Sequence, residues 1–196
     1  MNLQINEELI PGTILNRKNM GNVTGLEFLS KIFYITDGVM LGQIREISGI
    51  DGSTLQNWTK RGWVANSKLK RYDIDQVAHI LIINMLRSCI QLDKIAFLLK
   101  YINGNVDDDT DDIISPSKLY DYICRILDSI MVEGNECSVD NLKECIAAET
   151  RDYTEKISGA ARRLQNALEI IIVAYYSSIL KNHTDKRLSE IMNLQI

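Results

Sequence analysis

The spacing of apolar and polar positions divides the chain into short helices punctuated by turn residues. Thr24 and Glu27 form a capping box, and Leu26, Leu29, Ile32 and Phe33 follow at helical spacing. The triplet Thr36-Asp37-Gly38 reads as the turn that closes this helix. The residues before it show no period and predict a loosely ordered arm. A second stripe, Met40, Leu41, Ile44 and Ile47, runs to Gly49, a helix-ending residue. Ser53 and Gln56 make another capping box, so a third helix is expected from Thr54. On it Leu55 and Trp58 face inward, Gln56, Asn57, Lys60 and Arg61 face outward, and Gly62 ends it. Two short helices about a glycine turn predict a helix-turn-helix.

The stretch WVANSKLKRY, which ends at Tyr72, lacks a helical period and suits a short two-stranded wing or loop. Asp73 and Gln76 then cap a helix burying Val77, Ile80, Leu81 and Met85, with His79 read as a structural side chain. LDKIAFLLKYI supplies the next helix through Leu92, Ile95, Leu98, Leu99 and Ile102. The aspartate run that follows reads as a solvated boundary. It is not an EF-hand, because Asp112 and Lys118 stand where glycine and glutamate are required.

Beyond it, Leu119, Tyr122, Ile123, Ile126, Leu127 and Ile130 mark a helix, and Leu142, Cys145 and Ile146 another. A final long helix carries Ile157, Ala161, Leu164, Leu168, Ile171 and Tyr175 at alternating four and three spacing, then becomes apolar on every face. Such a helix is buried in its own core or against a second subunit. The expected organisation is an arm and helix over 1–36, a winged helix-turn-helix over 37–104, an acidic linker over 105–116 and a helical domain over 117–196. The fold class is all-α with a short β wing, a head in front of a C-terminal helical bundle.

Charge changes this picture. The 196-residue chain has a formal net charge of -4, yet residues 41–72 hold six basic and two acidic side chains. A cationic island on an acidic body is what a nucleic-acid face would look like. The most apolar window, ALEIIIVAYYSSIL, includes Glu169 and is shorter than the roughly 20 residues a membrane span needs. The N-terminus has neither a basic start nor an apolar run, so a cytoplasmic protein with reduced thiols is expected. Cys89, Cys124, Cys137 and Cys145 form no CxxC pair, and GxSxG, HExxH and GxxxxGK are absent. No metal site, cofactor, membrane association or enzymatic activity is expected.

Residues Leu41 to Leu99 resemble the DNA-binding domain of the MerR group of winged-helix regulators. The resemblance is carried by Thr54, Leu55, Gln56, Trp58, Thr59, Gly62, Trp63 and Val64, then by Arg71-Tyr72 and Val77. NWTKRGWV, KRYDIDQVAHILIINML and DDIIS are also similar to the bacterial family known as domain of unknown function 1836, over roughly the first two thirds of the chain. The MerR likeness implies a transcriptional regulator that binds double-stranded DNA, with helix 54–61 in the major groove and wing 66–71 on phosphates. Its site would comprise Ser53, Thr54, Gln56, Asn57, Lys60, Arg61, Lys68, Lys70, Arg71 and Tyr72. Gln56 stands where MerR proteins carry arginine.

The amides of Gln56 and Asn57 suit adenine, each worth roughly 1–3 kcal/mol of discrimination. Arg61, Lys68, Lys70 and Arg71 would hold phosphates, and with Lys60 as a fifth contact the log-log salt slope would be about -4.5. One module buries only about 600–1,000 Å², which favours a homodimer through the C-terminal helices. The alternative is a non-catalytic protein-protein interaction module with the same fold. An unidentified protein or small-molecule effector is the remaining partner class.

Overall fold

The segment Ile74–Leu86 has almost no face left for water: Val77 through Ile83, Met85 and Leu86 are all buried. A helix this apolar can sit only at the centre of a fold. The computed structural model describes residues 8–104, 112–132 and 139–194. In chain order the elements are α1 (Gly25–Phe33), β1 (Val39–Met40), α2 (Leu41–Ser48), α3 (Gly52–Lys60), β2 (Arg71–Tyr72), α4 (Ile74–Leu86), α5 (Leu92–Asn103), α6 (Pro116–Val132), α7 (Val139–Glu149) and α8 (Ala160–Asn193). Among the described residues the fold is mainly α, with a short antiparallel ribbon pairing Val39 with Tyr72 and Met40 with Arg71.

Helices α1, α2, α5, α6 and α8 all pack on α4. Its start is fixed by the expected box: Asp73 accepts from the Gln76 amide N–H while the Gln76 side chain accepts from the Asp73 N–H. One continuous hydrophobic core joins Phe28, Leu55 and Trp58 of the head to Leu127, Leu164 and Ile171 of the C-terminal helices.

The N-terminal segment is not loosely ordered from residue 8 onward. Ile10 is buried, the Tyr120 hydroxyl donates to the Pro11 carbonyl (2.7 Å), and Asn84 Nδ2 donates to the carbonyls of Gly12 and Ser48 (2.9 Å each). A Cβ on Gly12 would lie 2.4 Å from the Leu81 carbonyl oxygen, so glycine is what lets the strap lie against α4. Nor does Thr24 form a capping box. Its hydroxyl donates to Asp128 on α6 (2.6 Å), and Asp121 accepts the Leu26 N–H in its place (3.0 Å). The helix also stops at Phe33, short of the Thr36-Asp37-Gly38 turn.

The wing differs too. Within 63–72 only the single bridge Lys68–Arg71 forms, and the strand Arg71–Tyr72 pairs with Val39–Met40 ahead of α2. A Cβ on Gly38 would come 2.9 Å from the Arg71 Cβ, which explains glycine at this crossing. In the expected acidic linker, residues 105–111 lie outside the described residues, as do the first five positions of the rejected calcium loop. Ile113 and Ile114 turn into the core rather than into solvent. Helix α8 begins at Ala160, leaving Ile157 outside it, and the expected seam through Leu164, Leu168, Ile171 and Tyr175 is buried. It is not buried all round: Ile170 and Val173 are half exposed.

Asp128 clasps the N-terminal strap, accepting from Arg17 Nη1 and Thr24 Oγ1 (2.6 Å each). Asp128→Ala leaves the mostly buried Arg17 head without its partner. The expected cost is about 1–3 kcal/mol, read as a lower urea midpoint at unchanged slope.

Candidate nucleic-acid interface

Helices α2 and α3 are joined by Gly49, Ile50 and Asp51. Gly49 closes α2 in the left-handed conformation (φ 70°) and Ile50 plugs the turn into the core. On α3, Leu55 and Trp58 are buried, while Ser53, Gln56, Asn57, Lys60 and Arg61 are exposed. At about 100° per residue the exposed set covers one side of the helix, opposite its two core anchors. The outward edge of the candidate recognition helix is therefore open to solvent.

The helix is capped two residues earlier than its sequence suggests. Asp51, not Ser53, is the N-cap, and its carboxylate accepts from the Thr54 N–H (2.8 Å), the Thr54 hydroxyl (2.7 Å) and the Ser53 hydroxyl. These bonds, the Ser53 hydroxyl foremost, hold the Asp51 carboxyl well below its ordinary range. The expected box between Ser53 and Gln56 is absent. Ser53 and Thr54 are thus cap residues, and the Gln56 amide is released from that duty. Asn57 accepts only a long bond from Arg61 Nε (3.4 Å), and the Arg61 guanidinium lies 5.1 Å from the Trp63 ring centre.

The wing closes on a two-residue turn. Arg71 N–H donates to the Lys68 carbonyl (2.9 Å), and Leu69 and Lys70 between them both have positive φ, 51° and 62°. Lys68 and Lys70 are exposed. Arg71 is exposed as well, but its Nη1 donates to the Gly38 carbonyl (2.8 Å), bracing the wing root. Tyr72 does not belong to the interface: as the partner of Val39 it turns its ring into the core, and it is 8% exposed.

Lys60, Arg61, Lys68, Lys70 and Arg71 make no ion pair among the described residues. The ion pairs that do form lie in the arm, α1 and the C-terminal helices, including Lys118 and Arg125 with Asp121, Glu149 and Asp152. Four cations of the C-terminal helices, Lys118, Arg125, Lys181 and Arg187, are paired with carboxylates, while the five cations of the head form no such pair. Two features were missed by sequence reasoning. Asp51 had a signal, an acidic residue ahead of Gly52 and three before Thr54, which fits an N-cap. The exposure of Leu69 had none, because nothing local marks an apolar residue of a wing or loop as outward-facing.

Behind the wing a cavity of about 360 Å³ lies between Val64, Lys68, Gln76, His79, Leu99 and Asn103. No helix among the described residues is long and apolar enough to cross a membrane.

Residues 28–123 match the family model described as Domain of unknown function (DUF1836), a stretch that holds α3 and the wing and ends within α6. The uncharacterized protein YkrK of Bacillus subtilis (strain 168) is 31% identical over 117 residues, 57% of this chain and 50% of its own length. The chain thus spans about half the length of the curated relative it matches. No solved structure matches it.

Burial pushes His79 down to about 4, against a weaker opposing hydrogen bond with the Trp63 backbone. Its folded value lies below its unfolded one, so the unfolded chain binds the extra proton between them. The stability contribution is present above about pH 6.5 and is lost as pH falls through about 4, a change of roughly 3 kcal/mol. His79→Gln should flatten that part of a stability-pH curve measured by urea unfolding.

Proposed function

We propose that this protein is a DNA-binding transcriptional regulator of MerR-like winged-helix type, acting in the cytoplasm without catalysis. The observation that carries the reading is the set of unpaired cations on the outer edge of α3 and on the wing of an otherwise acidic chain. Gln56 and Asn57 present amide groups toward base edges in the major groove, where an amide pairs bidentately with adenine. Lys60 and Arg61 at the end of α3, with Lys68 and Lys70 on the wing, take phosphates and fix the register. Arg71 serves chiefly as the brace of the wing, and Ser53 and Thr54 act through the cap. Four phosphate contacts per head then give a salt slope of about -3.6.

A second copy completes the binding unit. Ile170, Val173, Leu180, Leu188 and Ile191 are each about half exposed on α8. At about 100° per residue they fall within one quadrant of the helix, facing away from the Leu164–Leu168–Ile171–Tyr175 seam. Past Leu180 every residue of α8 is exposed, a length of helix that is marginal alone in water and suits pairing with an identical helix. The cavity behind the wing would offer a small-molecule effector a place between the wing root and α5. The interaction-module reading draws support from Tyr34 and Ile35, 87% and 90% exposed beside the head.

Mobility shifts with genomic fragments at rising salt test the DNA reading. The combined reversal Lys60→Glu, Lys68→Glu and Lys70→Glu should reduce affinity by at least about 100-fold and flatten the salt slope. Unchanged binding would remove this interface. Leu180→Asp with Ile191→Asp should convert a sedimenting dimer to monomer while leaving the thermal midpoint of the body unchanged.

A further inference from the structure

The tip of the wing departs from the rest of the head in two ways. Leu69 is 96% exposed, a large apolar side chain standing in water with no packing partner. Its φ of 51° and the 62° of Lys70 put two successive L-residues in the left-handed region, where glycine, asparagine or aspartate would sit at lower cost. Neither the fold nor the turn calls for leucine here. Strain held at an exposed tip points toward use of the side chain.

We propose that Leu69 is an apolar wedge that enters the minor groove of DNA, partly unstacks a base step and bends the duplex. The inference rests on the DNA-binding reading and adds the residue that deforms the target. Charge selects the partner: Lys68 and Lys70 flank the leucine, Arg71 follows, and no acidic side chain occurs from Gly52 to Tyr72. That composition suits a polyanion rather than a mixed protein surface, and one leucine offers too little apolar area to hold a membrane. Shape selects the groove. A turn whose tip is two residues wide fits a cleft about 6 Å across, while α3 takes the wider groove alongside. Flanking lysines on the two phosphate backbones would press the leucine between bases, as apolar wedges do in architectural proteins.

The test uses the full chain and a duplex selected by the wild-type protein from a random-sequence pool. Leu69→Asn keeps the turn, since asparagine accepts the left-handed conformation, and removes the wedge. The expected result is about 10- to 100-fold weaker binding. An unchanged salt slope, a smaller bend by end-to-end fluorescence transfer and a thermal midpoint no lower than wild type should accompany it. Leu69→Met should restore the bend, and distamycin, a minor-groove ligand, should compete with the wild type more strongly than with Leu69→Asn. If Leu69→Asn binds and bends the duplex like wild type while reversal of Lys68 and Lys70 abolishes binding, the wedge is wrong and the DNA reading stands. If no duplex is selected, the DNA reading fails and the wedge with it. Leu69-dependent binding to phosphatidylglycerol vesicles that the duplex does not displace would overturn it in favour of a lipid surface.

Discussion

Everything in this molecule is referred to one helix that water hardly reaches. Because α4 is apolar on nearly every face, it has to be surrounded, and the chain surrounds it from both ends: the N-terminal strap, α1 and α2 before it, α5, α6 and α8 after it. The burial of that helix is what makes the head and the C-terminal helices share a core. A head built this way does not depend on the ribbon β1–β2 for its shape, which is why two residue pairs suffice for the wing root.

The same constraint explains where charge is left over. In the helical body, Lys118, Arg125, Asp121, Glu149 and Asp152 form a local network, with Tyr122 donating to Asp152 (2.9 Å). Its attractions are satisfied internally. On the head the carboxylates nearest the cations in sequence are already engaged: Asp51 caps α3, and Asp73 caps α4. An N-cap carboxylate is bound to backbone N–H groups and the hydroxyls beside them, so it is poorly placed to neutralise a lysine further along the chain. Capping and electrostatics thus act together, fixing the outward edge of α3 and leaving a surplus of positive field around it.

Much of this architecture was legible in the residues. Gly49 as a left-handed helix end, the Asp73–Gln76 box and the inward Leu55–Trp58 pair follow from local chemistry that tertiary packing does not override. What was not legible depends on distant partners. Thr24 reads as half of a capping box, yet its hydroxyl finds Asp128, 104 positions away, and nothing local could reveal that competitor. Ile10 and Pro11 look like an unstructured arm because their partners, Tyr120 and the α4 surface, lie far along the chain. Tyr72 sits beside basic residues in sequence and belongs to the core in space, because the side chains of adjacent strand residues point to opposite faces. Arg71 was read as a phosphate ligand, whereas its guanidinium reaches the Gly38 carbonyl.

In the proposed role, a head fixed on the α4 core presents unpaired cations to a polyanion along α3 and the wing. Protection of lysines from acetylation, measured by mass spectrometry on the full chain with and without a random-sequence duplex at low salt, addresses this directly. The account predicts slowed modification of Lys60, Lys68 and Lys70, with Lys118, Lys143 and Lys181 unaffected. Equal protection across the chain, or protection confined to the C-terminal helices, would contradict it.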